Sequence, residues 1–138
     1  MLSASGTCLY VDCIQPRFLL PSGCVAIIDL PWPILAGVIA KCSLVIAIDS
    51  ALIHLAAGLD ISCLGLFGPT VGNAICGSYP KAQVMQGESS DCPRICHYSE
   101  SRGWRPEVCR TRGCVRTMSL MPEVIVDKAE RMLREGAA

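Results

Sequence analysis

Charge is scarce in this chain of 138 residues: Asp, Glu, Lys and Arg make up 17%, and twelve basic side chains balance twelve acidic ones. A chain with no net charge and a pI near 6.7 carries no polyelectrolyte signature, which argues against nucleic acid or an anionic membrane as a partner of the whole molecule. A membrane-spanning run is also missing, although mean hydropathy reaches +0.44. Asp29, Pro31 and Pro33 interrupt the apolar stretch from Cys24 to Ala40, and the uncharged stretch from Ile61 to Pro80 is broken by Gly65, Gly68, Pro69, Gly72 and Gly77. No basic flank marks the N-terminus as a secretory signal, so the expected location is cytoplasmic. What the chain does have is 51% hydrophobic residues, which excludes disorder and is enough for the core of one domain over residues 1–138.

Ten cysteines would suit a small disulfide-stapled protein, but their setting argues otherwise. Cys8, Cys13, Cys24, Cys42, Cys63 and Cys76 lie in or beside apolar runs, where a thiol behaves as a small core hydrophobe. Cys92, Cys96, Cys109 and Cys114 lie in a polar stretch with the spacing C-x3-C-x12-C-x4-C. Two pairs closed by a loop suit a tetrahedral structural zinc site, with His97 as a further ligand; buried thiols or a redox-dependent disulfide are the other readings.

Charge divides the chain, with six charged residues in positions 1–80 and eighteen in 81–138. The first part alternates continuous apolar runs with helical patterns: VAIID from Val25, PWPILAGVIAK, SLVIAID from Ser43, ALIHLAAG, then SCLGLF from Ser62. Continuous runs suit strands covered on both faces, and the helices between them supply parallel crossovers, so the expected class is α/β, a Rossmann-like layered domain with a mainly parallel sheet. Pro31 and Pro33 place a helix from about Leu30 to Cys42. Asp49 or Ser50 is expected to cap the next helix and Gly58 to end it. The stretch GPTVGNAICGSYP is too rich in Gly and Pro for regular structure, and AQVMQ reads as a strand. Residues 87–119 form a long Cys- and Arg-rich loop, and residues 1–24 are atypical. A last helix opens at Pro122 and runs to 134 or 135, with Val124, Ile125, Ala129, Met132 and Leu133 as its docking stripe.

The strand-to-helix turn at Asp49 carries the chemistry. A strand that runs straight into a helix puts Asp49, Ser50 and the first helical N–H groups at the carboxyl edge of the sheet, where α/β domains bind ligands. Unsatisfied amides and the positive end of the dipole favour a phosphate there, and small Ser50 and Ala51 allow close approach. His54 lies one turn on, at i+4 from Ser50. Asp49 suits sugar hydroxyls or amides better than phosphate. The plainer reading of the same residues is a capped helix with a half-buried histidine.

The string CSLVIAIDSALIHLAAGLDISCLGLFGPT resembles the C-terminal half of glycosyltransferase family 9, which includes the lipopolysaccharide heptosyltransferases. Asp49, Ser50, His54, Ala56, Ala57, Phe67, Gly68, Pro69 and Thr70 match that family's pattern in order, and the likeness extends over roughly 25–133, including LMPEVIVDKAERML. Ala51 stands where the family has glycine, and Val71 where it commonly has an acidic residue. The resemblance implies an inverting GT-B enzyme that uses a nucleotide-diphosphate sugar. Donor contacts would fall on Asp49, Ser50, Ala51, His54, Gly68, Pro69 and Thr70, with no cofactor required for catalysis if amides and cationic groups neutralise the leaving group. The catalytic base and acceptor site belong to the family's N-terminal half, so this chain is expected to need such a half or to self-associate.

Between 92 and 118 six arginines, Arg94, Arg102, Arg105, Arg110, Arg112 and Arg116, face two glutamates. Guanidinium forks there, Arg94, Arg102 and Arg105 first, suit a donor or acceptor anion, and Trp104 offers a stacking face. Two other functions stay open from the residues: a non-catalytic nucleotide or sugar-phosphate binding module, and a zinc-stabilised nucleic-acid or protein interaction domain.

Overall fold

The computed structural model describes residues 7–12, 14–92 and 115–136, without the side chains of 117 and 118. Its elements follow the chain as β1 (Cys8–Asp12), β2 (Cys24–Ile28), α1 (Trp32–Ile39), β3 (Val45–Ile48), α2 (Ala51–Gly58), β4 (Cys63–Phe67), α3 (Gly72–Cys76), β5 (Ala82–Gln86), α4 (Val115–Met118) and α5 (Pro122–Gly136). This is the α/β, Rossmann-like arrangement expected. Every strand pair is parallel, but the strands form two sheets, β1-β2 and β3-β4-β5.

The three-stranded sheet is covered on both faces, as parallel strands require. Side chains alternate along β4. Cys63 and Phe67 face one side, in a cluster with Ile53 and Ala56 of α2, Leu35 and Ile39 of α1, and Cys76 of α3. Leu64 faces the other side, against Ala129 and Met132 of α5, with Leu44, Leu66, Met85 and Ile125 around them. Cys63, Leu64 and Phe67 are all 0% exposed. Burying three such side chains in the middle strand makes β4 the axis of the fold.

Several local expectations are corrected. The first helix is shorter than the 30–42 span: Pro31 is its N-cap and Pro33 lies in its first turn, as the proline rule predicts, but it stops at Ile39 with Ala40 as cap. Gly58 is the last helical residue of α2 and not its terminator. Asp60 takes the left-handed conformation (φ 57°) while the Ile61 N–H reaches back to the Ala56 carbonyl and that of Asp60 to Ala57, a Schellman arrangement. Lys81, just before β5, holds this turn by donating to the Asp60 carbonyl and carboxylate.

The Gly- and Pro-rich stretch contains the short helix α3, formed because Cys76 and part-buried Ile75 pack into the core. Gly72 opens that helix where a Cβ would collide with the Phe67 ring and with Val84, so close approach explains the glycine better than flexibility does. Residues 1–24 contain a strand, β1, whose five residues pair in register with β2. Within the α5 stripe Ala129 and Met132 are buried and Ile125 packs beside them, whereas Val124 is 52% exposed.

The core reading of the cysteines holds for Cys63 and Cys76, both buried, and partly for Cys24 and Cys42. It fails for Cys8, which is exposed; Cys13 lies outside the described residues. Among the described residues, no helix is long and apolar enough to cross a membrane.

Candidate functional site

The carboxyl ends of β3, β4 and β5 lie side by side, because the strands are parallel and adjacent in the order β3-β4-β5. The turns that leave them carry the candidate residues. Asp49 follows β3 directly, and its carboxylate accepts a 2.8 Å hydrogen bond from the Thr70 hydroxyl in the turn after β4. Thr70 is buried, so the bond locks the two turns together across the sheet edge. This role for Asp49 differs from the capping expected of it.

Ser50 occupies the N-cap position of α2 with an extended backbone (φ −156°, ψ 167°), yet its side chain caps nothing. Its Oγ is buried and has no hydrogen-bond partner among the described residues. The first turn of α2 contains no acidic residue. The Ile53 N–H is taken by the Ser50 carbonyl at 3.2 Å, so among the described residues the Ala51 and Leu52 amides are the ones left to another acceptor at this helix start. Ala51, the first helical residue, is exposed.

His54 is exposed, and its Nδ1 is 2.7 Å from the Tyr79 hydroxyl, the two rings meeting edge to face. That bond fixes the imidazole's orientation and leaves Nε2 as the nitrogen without a protein partner among the described residues. The Asp49–Thr70 pair and the His54–Tyr79 pair are therefore separate hydrogen-bonded units.

Gln86, at the end of β5, organises the Gly68-Pro69-Thr70 turn. Its amide donates to the Phe67 and Gly68 carbonyls at 3.3 and 3.1 Å, while its Oε1 accepts from the Gly72 N–H at 3.0 Å. One side chain thus serves the Gly68 carbonyl and the Gly72 N–H, and adds a second donor to the Phe67 carbonyl, which also accepts from the Gly87 N–H at 2.7 Å. Neither Gln86 nor Tyr79 stands out in the sequence. The one available signal for Gln86 is a polar residue closing a strand at the ligand-binding edge. Burial raises the thiol of Cys76, the last residue of α3, above its usual range, with the Cys63 thiol and the Asp49 charge adding to the effect.

The predicted cysteine and arginine set is only partly visible. Cys92 is half-buried, whereas Cys96, Cys109, Cys114, His97, Arg94, Arg102, Trp104, Arg105, Arg110 and Arg112 lie outside the described residues. Arg116 is described and is buried, at 7% exposure. Among the described residues no cluster of three or more His, Cys, Asp or Glu side chains is placed to hold a metal.

An apolar strand, the uncapped helix α2, a second strand and a Gln-braced turn are the parts that a family comparison can test. The model of glycosyltransferase family 9 (heptosyltransferase) matches residues 32–99, which span α1 to β5, so this stretch of the chain is similar to that family. A particular relative sharpens the likeness: the chain is 41% identical over 58 residues to lipopolysaccharide heptosyltransferase 1 of Pseudomonas aeruginosa. Those residues are 42% of this chain and 16% of that enzyme, so the match spans about a sixth of the relative. No solved structure matches the chain significantly.

Proposed function

We propose that the edge formed by Asp49, Ser50, Ala51, His54, Gly68, Pro69 and Thr70 binds the diphosphate and sugar of a nucleotide-diphosphate sugar, as the donor-binding half of an inverting GT-B glycosyltransferase. The observation that carries the reading is the start of α2, where Ser50 holds the N-cap position without capping and its buried hydroxyl has no partner among the described residues, within the segment that matches the glycosyltransferase family. A diphosphate oxygen would accept from the Ala51 and Leu52 amides and from Ser50, and the dipole would stabilise the charge that grows as the nucleotide leaves. His54, oriented by Tyr79, would donate from Nε2 to a phosphate or sugar oxygen. Asp49, already accepting from Thr70, has carboxylate capacity left for a sugar hydroxyl.

Inversion also needs a base to take the proton of the acceptor hydroxyl as the nucleotide diphosphate departs from the opposite face of the anomeric carbon. No residue at this edge is assigned that role, and a partner half would supply it. The chain alone is therefore expected to bind donor without transferring sugar. The test incubates the purified chain with a panel of nucleotide sugars and sugar acceptors and follows nucleotide diphosphate release. Release that appears only with a supplied N-terminal half supports the reading, whereas acceptor-dependent turnover by the chain alone overturns it. A chain that binds donor but never turns over with any half would be the non-catalytic module, a reading that the methyl of Ala51 in place of glycine favours.

A further inference from the structure

We infer that Arg116, Ser89 and Ser90 form an oxyanion-binding subsite at the carboxyl end of β5, for a hydroxyl-rich acid such as a sugar phosphate or a sugar carboxylate. The starting point is a buried cation without a counter-ion among the described residues. A guanidinium stays protonated at any ordinary pH, and an unpaired buried charge is costly. Arg116 is only 7% exposed, and no described carboxylate forms an ion pair with it. One of its donors, Nη1, reaches the Cys92 carbonyl at 3.0 Å, while Nε is sealed from solvent with no partner among the described residues. Arg116 also forms part of the wall of a cavity of about 470 Å³, together with Glu88, Ser89 and Ser90.

The site is built into the end of the strand. Gly87 continues β5 by donating to the Phe67 carbonyl, and a Cβ at Gly87 would collide with the Arg116 carbonyl. The Ser119 hydroxyl donates to that same carbonyl at 2.7 Å and accepts from the Glu88 N–H at 2.9 Å. The Arg116 backbone is thus fixed against β5 before any ligand arrives, which reduces the ordering cost of binding. Ser89 Oγ accepts from the Asp91 N–H, so its own proton is available to donate, and Ser90 is exposed beside it. A bare anion would meet the Glu88 carboxylate on the same wall. A ligand with hydroxyl groups next to its oxyanion satisfies both signs, giving charge to Arg116 and hydroxyl protons to Glu88. Strands β3 and β5 are two sheet spacings apart, about 10 Å, so one phosphate group cannot serve both this subsite and the start of α2.

The test is thermal unfolding of the full 138-residue chain at constant ionic strength, titrated with inorganic phosphate, glucose 6-phosphate or glucuronate in place of chloride. The expected result is a saturable rise in Tm, larger with the sugar anion than with inorganic phosphate, and the stronger of the two sugar anions assigns the ligand class. Arg116→Met should weaken that response at least tenfold while the ligand-free chain melts no lower than the wild type, because a buried unpaired charge has gone. Ser90→Ala, a mild surface change, should weaken it several-fold and keeps the idea testable should Arg116→Met fail to fold. Ser50→Ala should leave the response intact, which separates this subsite from the donor site at α2. Absence of any anion-specific shift in the wild type, or an undiminished shift in both Arg116→Met and Ser90→Ala, would overturn the proposal.

Discussion

The two parallel sheets are made from strands of similar length and apolar content, and they reach different degrees of burial. In β3-β4-β5 the middle strand is sealed, with Cys63, Leu64 and Phe67 at 0% exposure. In β1-β2 no residue is buried, and Val25 is 51% exposed. The difference lies in the connections. Helices α2 and α3 link the strands of the larger sheet and close over one face while α5 covers the other, whereas among the described residues no helix lies between β1 and β2. An apolar strand is buried by what covers it, not by its own composition. The family match begins at residue 32, just after the less buried sheet ends.

The largest expected contrast follows from this. Phe67→Ala should destabilise the protein by about 3–5 kcal/mol, the range for removing a fully buried aromatic ring. Val25→Ala should cost less than about 1 kcal/mol, because little of that side chain leaves water on folding. Urea unfolding of both variants measures the ratio, and equal costs would break the comparison between the sheets.

A smaller effect is expected at the edge of the well-packed sheet. Gln86→Ala removes the side-chain partner of the Gly68 carbonyl and the Gly72 N–H and one of the two donors to the Phe67 carbonyl, and should cost about 1–3 kcal/mol. Because those groups define the turn before Thr70, the same variant should also weaken donor binding. A change in stability with unaltered binding would detach the turn from the site.

The smallest expected effect concerns pH. Burial raises the Cys63 and Cys76 thiols above the usual value of 9.0, so the folded state favours the protonated form. Stability from that preference is fully present below pH 9.0 and is lost as pH rises through the higher folded values. Urea midpoints should therefore hold steady from pH 7 to 8 and fall above about pH 9, and Cys63→Ala should flatten part of the alkaline fall. A fall of the same size in that variant would assign it elsewhere.

The larger sheet was also the more legible. Runs such as VIAI and CLGLF carry their own evidence, because a continuous apolar run bounded by turn residues has few alternatives to a covered strand. The Asp49-Ser50 turn was legible as the start of a helix, but the Asp49 side chain went to Thr70, 21 residues away, instead of to the helix. Helix α3 was hidden because packing of Ile75 and Cys76 overrode a Gly- and Pro-rich composition. Strand β1 was hidden because its partner, β2, is also only partly buried, leaving a weak apolar signal. Gln86 and Tyr79 had no local signature, and Arg116 was visible only as one of six arginines, since each finds its partners 14 to 25 residues away. Three of the four late cysteines lie outside the described residues.

The central claim, that the start of α2 is a donor site, is tested most directly by titration calorimetry of nucleotide-diphosphate sugars into the wild-type chain and into His54→Ala. His54 is exposed and bonded only to Tyr79 among the described residues, so the variant should fold normally. Loss of one hydrogen bond to a charged phosphate predicts weaker binding by about 1–3 kcal/mol, roughly 5- to 150-fold in Kd. A wild-type chain that binds no nucleotide sugar, or a His54→Ala chain that binds one with unchanged affinity, would contradict the account.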